Sequence, residues 1–283
     1  MHGFLTGSLK IERLNVAIAD LPTHLRGTKL VQLSDFHYEK QGLSDKLLAE
    51  AIAASNHADP DLVLLTGDYV TQNPDCIYAL TLQLKHLQSR RGIYGILGNH
   101  DIKMPHSKST IIAAFEKIGI PILWNEVVYP LGSGLGVVGM AEVQSGQFNS
   151  RAVFPGIDAS IPRIVLSHNP DTATYLQTLR VDLQLSGHTH GGQIILPKIG
   201  PLPAYLKDLR ERIPKGWRQW IPYLSKDCYK IIERWEWSQG LHQVGNNQLY
   251  VSRGLGTYFP GRLFCPPEVT IITLQGDEDK KSE

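Results

Sequence analysis

The amino-acid sequence predicts an α/β fold. Three observations carry that expectation. Short β-rich apolar runs alternate with helical patterns, several of those runs are apolar at nearly every position, and 42% of the 283 residues are apolar. Continuous apolar runs suit strands covered on both faces, and strand–helix alternation builds a largely parallel or mixed sheet.

The elements are taken in chain order. Strands are expected at Lys29–Ser34 (KLVQLS), Leu62–Thr66 (LVLLT), Gly92–Leu97 (GIYGIL), Leu135–Met140 (LGVVGM), Arg163–Ser167 (RIVLS) and Val181–Ser186 (VDLQLS), then at Gln248–Ser252 and Glu268–Leu274. Helical patterns occupy Ser44–Asn56, Asp75–Gln88, Ser109–Ile118 and Asp171–Leu179. Ser44 precedes DKLLAEAIAA as an N-cap, Pro74 sits at a first turn, and Gly119-Ile-Pro121 stops the third helix. Residues 1–275 are expected to form one domain, with a Trp-rich insertion at 205–237 and a charged tail at 276–283.

Composition excludes several classes. With 28 basic and 27 acidic residues the formal net charge is +1, which argues against a strongly basic nucleic-acid binder. No run of about 18 apolar residues exists to form a transmembrane helix, and the N-terminal region has no apolar core of a secretory signal. Cys76, Cys228 and Cys265 are too scattered for a disulfide framework or a cysteine zinc site. A cytoplasmic location is the expectation.

The chemistry lies just past the strand ends. The first strand ends in Ser34-Asp35-Phe36-His37, the second in Thr66-Gly67-Asp68, the third in Gly98-Asn99-His100-Asp101, the fifth in Ser167-His168-Asn169-Pro170, and the sixth in Ser186-Gly187-His188-Thr189-His190. Ligands of open α/β sheets bind beyond the carboxyl ends of strands. Five of the 11 histidines fall in these clusters. An extended backbone would put Asp35 and His37 on one side, and His188 with His190 likewise. Carboxylate, amide oxygen and imidazole suit divalent Mn, Fe or Zn. Asp35, His37, Asp68, Asn99, His168, His188 and His190 are too many for one tetrahedral site. They fit two adjacent ions about 3.5–4 Å apart, the arrangement that clamps attacking and leaving oxygens in phosphoester hydrolysis.

D-x-H, G-D, G-N-H-D, a lone His and G-H-x-H, in that order, resemble the calcineurin-like metallophosphoesterase superfamily. The match covers roughly residues 29–193, and Ser252–Gly256 with Pro266-Pro267-Glu268 extends it. The wording SDFHYE, GNHD, SHNPD and GHTHGGQ is similar to a bacterial branch of small phosphodiesterase-like members. The resemblance implies two mixed β-sheets packed as a sandwich flanked by helices. It implies that Asp35, His37 and His190 hold one ion, that Asn99, His168 and His188 hold a second, and that Asp68 bridges them. It also implies that His100 meets the substrate phosphate or protonates the leaving oxygen, oriented by Asp101. Imidazole is the general acid most at hand near neutral pH. The expected reaction is hydrolysis of a phosphodiester or pyrophosphate, on a nucleotide-linked or lipid-linked substrate. A nuclease or cyclic-nucleotide phosphodiesterase is the alternative among enzymes, and a non-catalytic scaffold the alternative of another class. Arg253 is open to either a phosphate contact or a structural role.

The insertion at 205–237 holds Trp217, Trp220, Trp235 and Trp237, with eight basic against five acidic residues. Tryptophan beside Lys and Arg is the composition of interfacial segments, so the insertion reads as membrane-facing (a peripheral membrane contact) or substrate-roofing, with a helical insertion that packs its tryptophans on the domain as the plainer and favoured alternative. A phosphoester substrate is the expected partner, and no obligate protein partner is inferred.

Overall fold

The computed structural model describes residues 7–40, 42–214, 216–217, 231–257 and 261–277. Two sheets carry the fold. The first orders β1 (Lys10–Ile18), β13 (Glu268–Gly276), β2 (Lys29–Leu33), β3 (Leu62–Leu65) and β4 (Ile93–Gly95) side by side. The second orders β11 (Gly240–Val244), β12 (Asn247–Val251), β8 (Leu183–Ser186), β7 (Arg163–Leu166), β6 (Gly136–Gly139) and β5 (Glu126–Val128). In the first sheet β2, β3 and β4 run parallel out to one edge, and β13 pairs antiparallel with β2 and parallel with β1; in the second the four central strands β12, β8, β7 and β6 run parallel, with β11 and β5 antiparallel at the edges. A small hairpin of β9 (Ile195–Leu196) and β10 (Gly200–Pro201) stands apart.

Strand side chains alternate between two environments. Leu30, Leu62, Leu64 and Ile272 of the first sheet meet Val137, Ile164, Leu166, Leu183 and Leu185 of the second in one buried cluster between the sheets. Val31, Leu33, Val63 and Leu65 face the other way. They pack on α1 (Asp45–His57), α2 (Cys76–Leu84) and α3 (Ser107–Glu116) through Leu48, Ala51, Ile77, Leu80 and Phe115. On the far side of the second sheet, Val138 and Val165 meet Val153 of α4 (Ser150–Val153) and Leu176 of α5 (Thr172–Leu176). The result is helix, sheet, sheet, helix, as the resemblance implied. Ser44 caps α1, its hydroxyl accepting from the Leu47 N–H at 3.3 Å.

Every expected strand forms, shortened by a residue or more at some ends. The sequence reading lacked β1, β5, β11, the β9–β10 hairpin, α4 and α6 (Leu202–Arg212). β13 also runs to Gly276, into the expected tail, whose residues 278–283 lie outside the described residues. A polar tie crosses the sandwich at the end that matters: buried Gln32 donates to the Thr66 hydroxyl at 3.0 Å and to the Ser186 carbonyl at 2.9 Å. It brings together the carboxyl ends of β3 and β8.

Candidate metal centre

The loops leaving β2, β3, β4, β7 and β8 converge at that end, knitted by their own backbones. Asp35 N–H donates to Gly67 O at 2.9 Å and His37 N–H to Asp68 O at 3.0 Å. Asp35 accepts from the His188 N–H at 2.9 Å, so the two sheets are tied through a candidate ligand. The close approach leaves no room for a Cβ at Gly98, which would strike Asp68, or at Gly187, which would strike Ser34 and Asp35.

The backbone here is not extended, contrary to the sequence expectation for Asp35 with His37 and His188 with His190. Asp35 (φ 52°), His37 (φ 44°), Asp68 (φ 56°), His188 (φ 72°) and His190 (φ 51°) all adopt the left-handed region. Non-glycine residues seldom do so, and the strain, of order 1–3 kcal/mol each, persists where surroundings impose it. The chain thus turns sharply at five of the seven candidate ligands, and both side chains of each pair enter one small volume.

Within it the donor atoms converge. Asp35, His37 and His190 form one group able to hold a cation, and Asp68, His168 and His188 form another. The Nε2 atoms of His37 and His190 lie 3.0 Å apart, and His190 Nε2 is 3.4 Å from Asp35 Oδ1. His168 Nε2 is 3.2 Å from Asn99 Oδ1, which adds Asn99 to the second group. Asp68 Oδ2 stands between the groups, 3.5 Å from His37 Nε2 and 3.1 Å from His168 Nε2, while Oδ1 accepts from the His100 N–H at 2.9 Å.

Backbone carbonyls fix the tautomers, since a carbonyl only accepts. His168 Nδ1 lies 2.7 Å from Thr66 O and His100 Nδ1 2.9 Å from Thr71 O, whereas His190 Nδ1 lies between Gly256 O at 3.3 Å, an acceptor, and Arg262 Nη2 at 3.4 Å, a donor. His188 is reversed: its Nε2 lies 3.1 Å from Ile231 O, which leaves Nδ1 for an ion. Outer hydrogen bonds of this kind are how proteins orient imidazole ligands. Electrostatics keep three of the four candidate rings neutral, while His168 is held protonated by Asp68 and would give up its Nε2 proton on binding an ion. Burial pushes His37 down to about 3 and His188 to about 4, and holds His190 well below the ordinary histidine range, so these rings are neutral and ready to ligate. Burial pushes Asp35 up to about 6, with the Asp68 charge adding to it. For Asp68 and His168 burial works against charge, but each holds the other ionised, lowering the first and raising the second. Inward lone pairs of neutral imidazoles beside two carboxylates and an amide oxygen fit divalent cations.

His100 is set apart from the seven candidate ligands by its exposure, although its ring also comes close enough to His37 and Asp68 to form a third possible metal-holding group with them. It is half-buried, and its ring stands edge-on to His37 with centroids 4.9 Å apart. Asp101 does not orient it. Both Asp101 oxygens are taken by backbone, accepting from the N–H groups of Asp68 and Gly98 at 2.8 Å, Tyr69 at 2.8 Å and Val70 at 3.3 Å. Asp101 braces the Asp68 loop, and the Thr71 carbonyl orients His100. Thr71 is itself fixed by Glu39, one of whose oxygens accepts from the N–H groups of Thr71, Gln72 and Asn73. Arg253 takes the structural role, pairing with Glu12 at 2.6 Å and Glu268 at 2.8 Å.

Three residues escaped the sequence reading. Arg262 is buried, donates to Gly256 O at 2.6 Å and Arg253 O at 2.7 Å, and backs His190. Nothing local in its sequence marks it. The Thr71 carbonyl is backbone and carries no residue signature. Glu142 lies just past β6, whose expected strand is the one among the first six with no end group assigned. It is buried beside the charges of His168 and Asp68, and its Oε2 has no hydrogen-bond partner among the described residues. An acidic residue just past a strand end was the available signal.

The insertion's tryptophans divide. Trp235 and Trp237 are buried, the latter against Ala173, Val244 and Leu249, so they are core residues and not interfacial ones. Trp217 is 71% exposed, and Trp220 lies outside the described residues. Among the described residues no helix is long and apolar enough to cross a membrane.

Paired sheets with nitrogen and oxygen ligands gathered at their strand ends define a class, the metal-assisted phosphoester hydrolases. Comparison with known proteins gives the family: residues 28–192 match the calcineurin-like phosphoesterase family, and the chain belongs to it. It is 31% identical over 250 residues to a protein named phosphodiesterase YaeI of Escherichia coli (strain K12), spanning 87% of this chain and 82% of that one. It is 30% identical over 268 residues to a metallophosphoesterase of Bacillus subtilis (strain 168), YkuE, spanning 90% and 82%. It is 25% identical over 315 residues to UDP-2,3-diacylglucosamine pyrophosphatase LpxG of Chlamydia muridarum (strain MoPn / Nigg), spanning 93% and 88%.

Proposed function

We propose that this chain hydrolyses a phosphodiester or pyrophosphate bond with two divalent ions, Mn, Fe or Zn, on a nucleotide-linked or lipid-linked substrate. The observation that carries the reading is the position of Asp68 Oδ2, within 3.5 Å of His37 Nε2 and 3.1 Å of His168 Nε2. One oxygen facing two separate nitrogen-bearing groups is what a bridging carboxylate requires. Asp35, His37 and His190 hold one ion; Asn99, His168 and His188 hold the other. Bound divalent ions supply Lewis acidity at phosphoryl oxygens and acidify water. His100 supplies what the ligands cannot. Its Nδ1–H donates to Thr71 O, so Nε2 is the atom that faces the phosphoryl group, and it protonates the departing oxygen when the ring enters the reaction as the doubly protonated imidazolium, which then keeps its Nδ1 proton. The names of two relatives, a phosphodiesterase and a pyrophosphatase of a nucleotide-linked diacyl sugar, support the substrate class.

An anionic bilayer as docking surface belongs to the same reading. Ile199, Leu263, Phe264 and Trp217 are exposed apolar side chains. Ile199 lies in the turn of the β9–β10 hairpin, directly after the His190 loop, and Leu263, followed by Phe264, pairs through its backbone with Gln193 and Ile195.

The test is a substrate panel with metal control. A chromogenic phosphodiester should be hydrolysed faster than the matching monoester, chelation should abolish turnover, and Mn²⁺ should restore it. His100→Ala should keep its metal and lose roughly 10²-fold or more in kcat. Full activity of a metal-free preparation overturns the mechanism, and loss of metal from His100→Ala overturns the assignment of roles.

A further inference from the structure

Asp171 lies three residues past His168 and stands where an N-cap of α5 would stand, yet its side chain makes no capping hydrogen bond. Its carboxylate is occupied elsewhere. Oδ2 accepts from the Glu233 N–H at 2.7 Å and Oδ1 from the Arg234 N–H at 3.4 Å. Those residues belong to a segment, 231–234, that lies in no strand or helix. Ile232 buries its side chain, and Lys207 of α6 donates to Glu233 O at 3.2 Å. The same segment carries the Ile231 carbonyl, 3.1 Å from His188 Nε2.

His188 is unusual among the candidate ligands in this dependence. His168 and His190 rest their outer nitrogens on Thr66 and Gly256, which belong to loops leaving the sheets. His188 rests on a segment outside both sheets, docked by a carboxylate from the loop of the neighbouring ligand. An acceptor on Nε2 is what makes Nδ1 the free lone pair of this ring.

We propose that Asp171 is a positioning residue for the metal centre. By docking residues 233–234 it sets the Ile231 carbonyl on His188 Nε2–H and so turns Nδ1 toward the ion. The proposal rests on the reading of His188 as a ligand. It assigns Asp171 no contact with substrate or ion.

The experiment compares Asp171→Ala, Asp171→Asn and His188→Ala by Mn²⁺ titration, metal content and steady-state kinetics. Asp171→Ala should keep its fold and bind Mn²⁺ roughly 10–100-fold more weakly at one equivalent, the usual effect of losing an outer partner of a metal-bound histidine. Its kcat should fall with occupancy, its KM change less, and saturating Mn²⁺ should restore turnover. Asp171→Asn keeps one acceptor oxygen and should fall between. His188→Ala should lose one equivalent outright, beyond rescue. If His188→Ala binds Mn²⁺ as the parent does, the ligand reading fails. If His188→Ala loses an ion but Asp171→Ala keeps parental affinity and kcat, the Asp171 proposal fails alone. Failure of both Asp171 variants to fold also overturns it, because the carboxylate would then serve stability and not the centre.

Discussion

The two halves of the centre are built differently. Asp35, His37 and His190 are fully buried, rest on loops that leave the sheets, and are backed by the Arg262 guanidinium. Asn99, His168 and His188 include a half-buried amide and a ring held by Ile231 from outside the sheets, and beside them Glu142 has a carboxylate oxygen with no hydrogen-bond partner among the described residues. The first half is an extension of the core. The second depends on a peripheral segment for its final geometry. Rigidity on one side and dependence on the other means that damage far from the ions should weaken the second half first.

The largest effects come from the ligands. Asp68→Ala should empty both halves and lower kcat/KM by roughly 10³-fold or more, because it removes the shared ligand and with it several kcal/mol of transition-state stabilisation. His190→Ala, in the closed half, should stay inactive in excess Mn²⁺, unlike Asp171→Ala. Metal analysis beside kinetics checks both, and equal rescue of the two variants would erase the distinction between the halves.

A smaller effect belongs to Glu142. Burial raises its carboxyl above the ordinary glutamate range. Such a group favours the fold below its unfolded pKa and loses that contribution as pH rises through the higher folded value. Glu142→Gln should therefore raise Tm by about 2–4 °C at pH 8, for a burial penalty of about 1 kcal/mol, with the gain vanishing near pH 4. Thermal melts across that range decide it, and a gain that is constant with pH would place the cause elsewhere. The smallest effect on turnover is expected for Trp217→Ala, which should leave phosphodiester hydrolysis unchanged while reducing cosedimentation with anionic liposomes at low salt. Parental cosedimentation would remove Trp217 from the membrane reading.

Legibility in the sequence divides along the same line. All seven candidate ligands were visible because each sits just past an apolar run and the runs are short. The helices that cover the first sheet were visible through their caps and period. β1 was not, because its partner β13 comes from the opposite end of the chain and a pairing of Lys10 with Glu268 leaves no local mark. Asp101 beside His100 read as an orienting pair, but adjacent residues on a turn point apart, and the orienting group was the Thr71 main chain. Trp235 and Trp237 read as interfacial by composition, and composition does not say which side of a segment meets the core. The Ile231 carbonyl lies 43 residues from the ring it holds.

The left-handed backbone at five candidate-ligand positions also acts as a filter on heredity. Among non-glycine residues, Asn, Asp and His tolerate that conformation best, while β-branched side chains are outliers there. Drift at Asp35, Asp68 or His188 should therefore pass through Asn, Asp, His or Gly and avoid Val, Ile and Thr. The accessible alphabet is nearly the alphabet of oxygen and nitrogen ligands, so a lineage built on this scaffold can exchange one such ligand for another more readily than it can fill the position with a branched apolar residue.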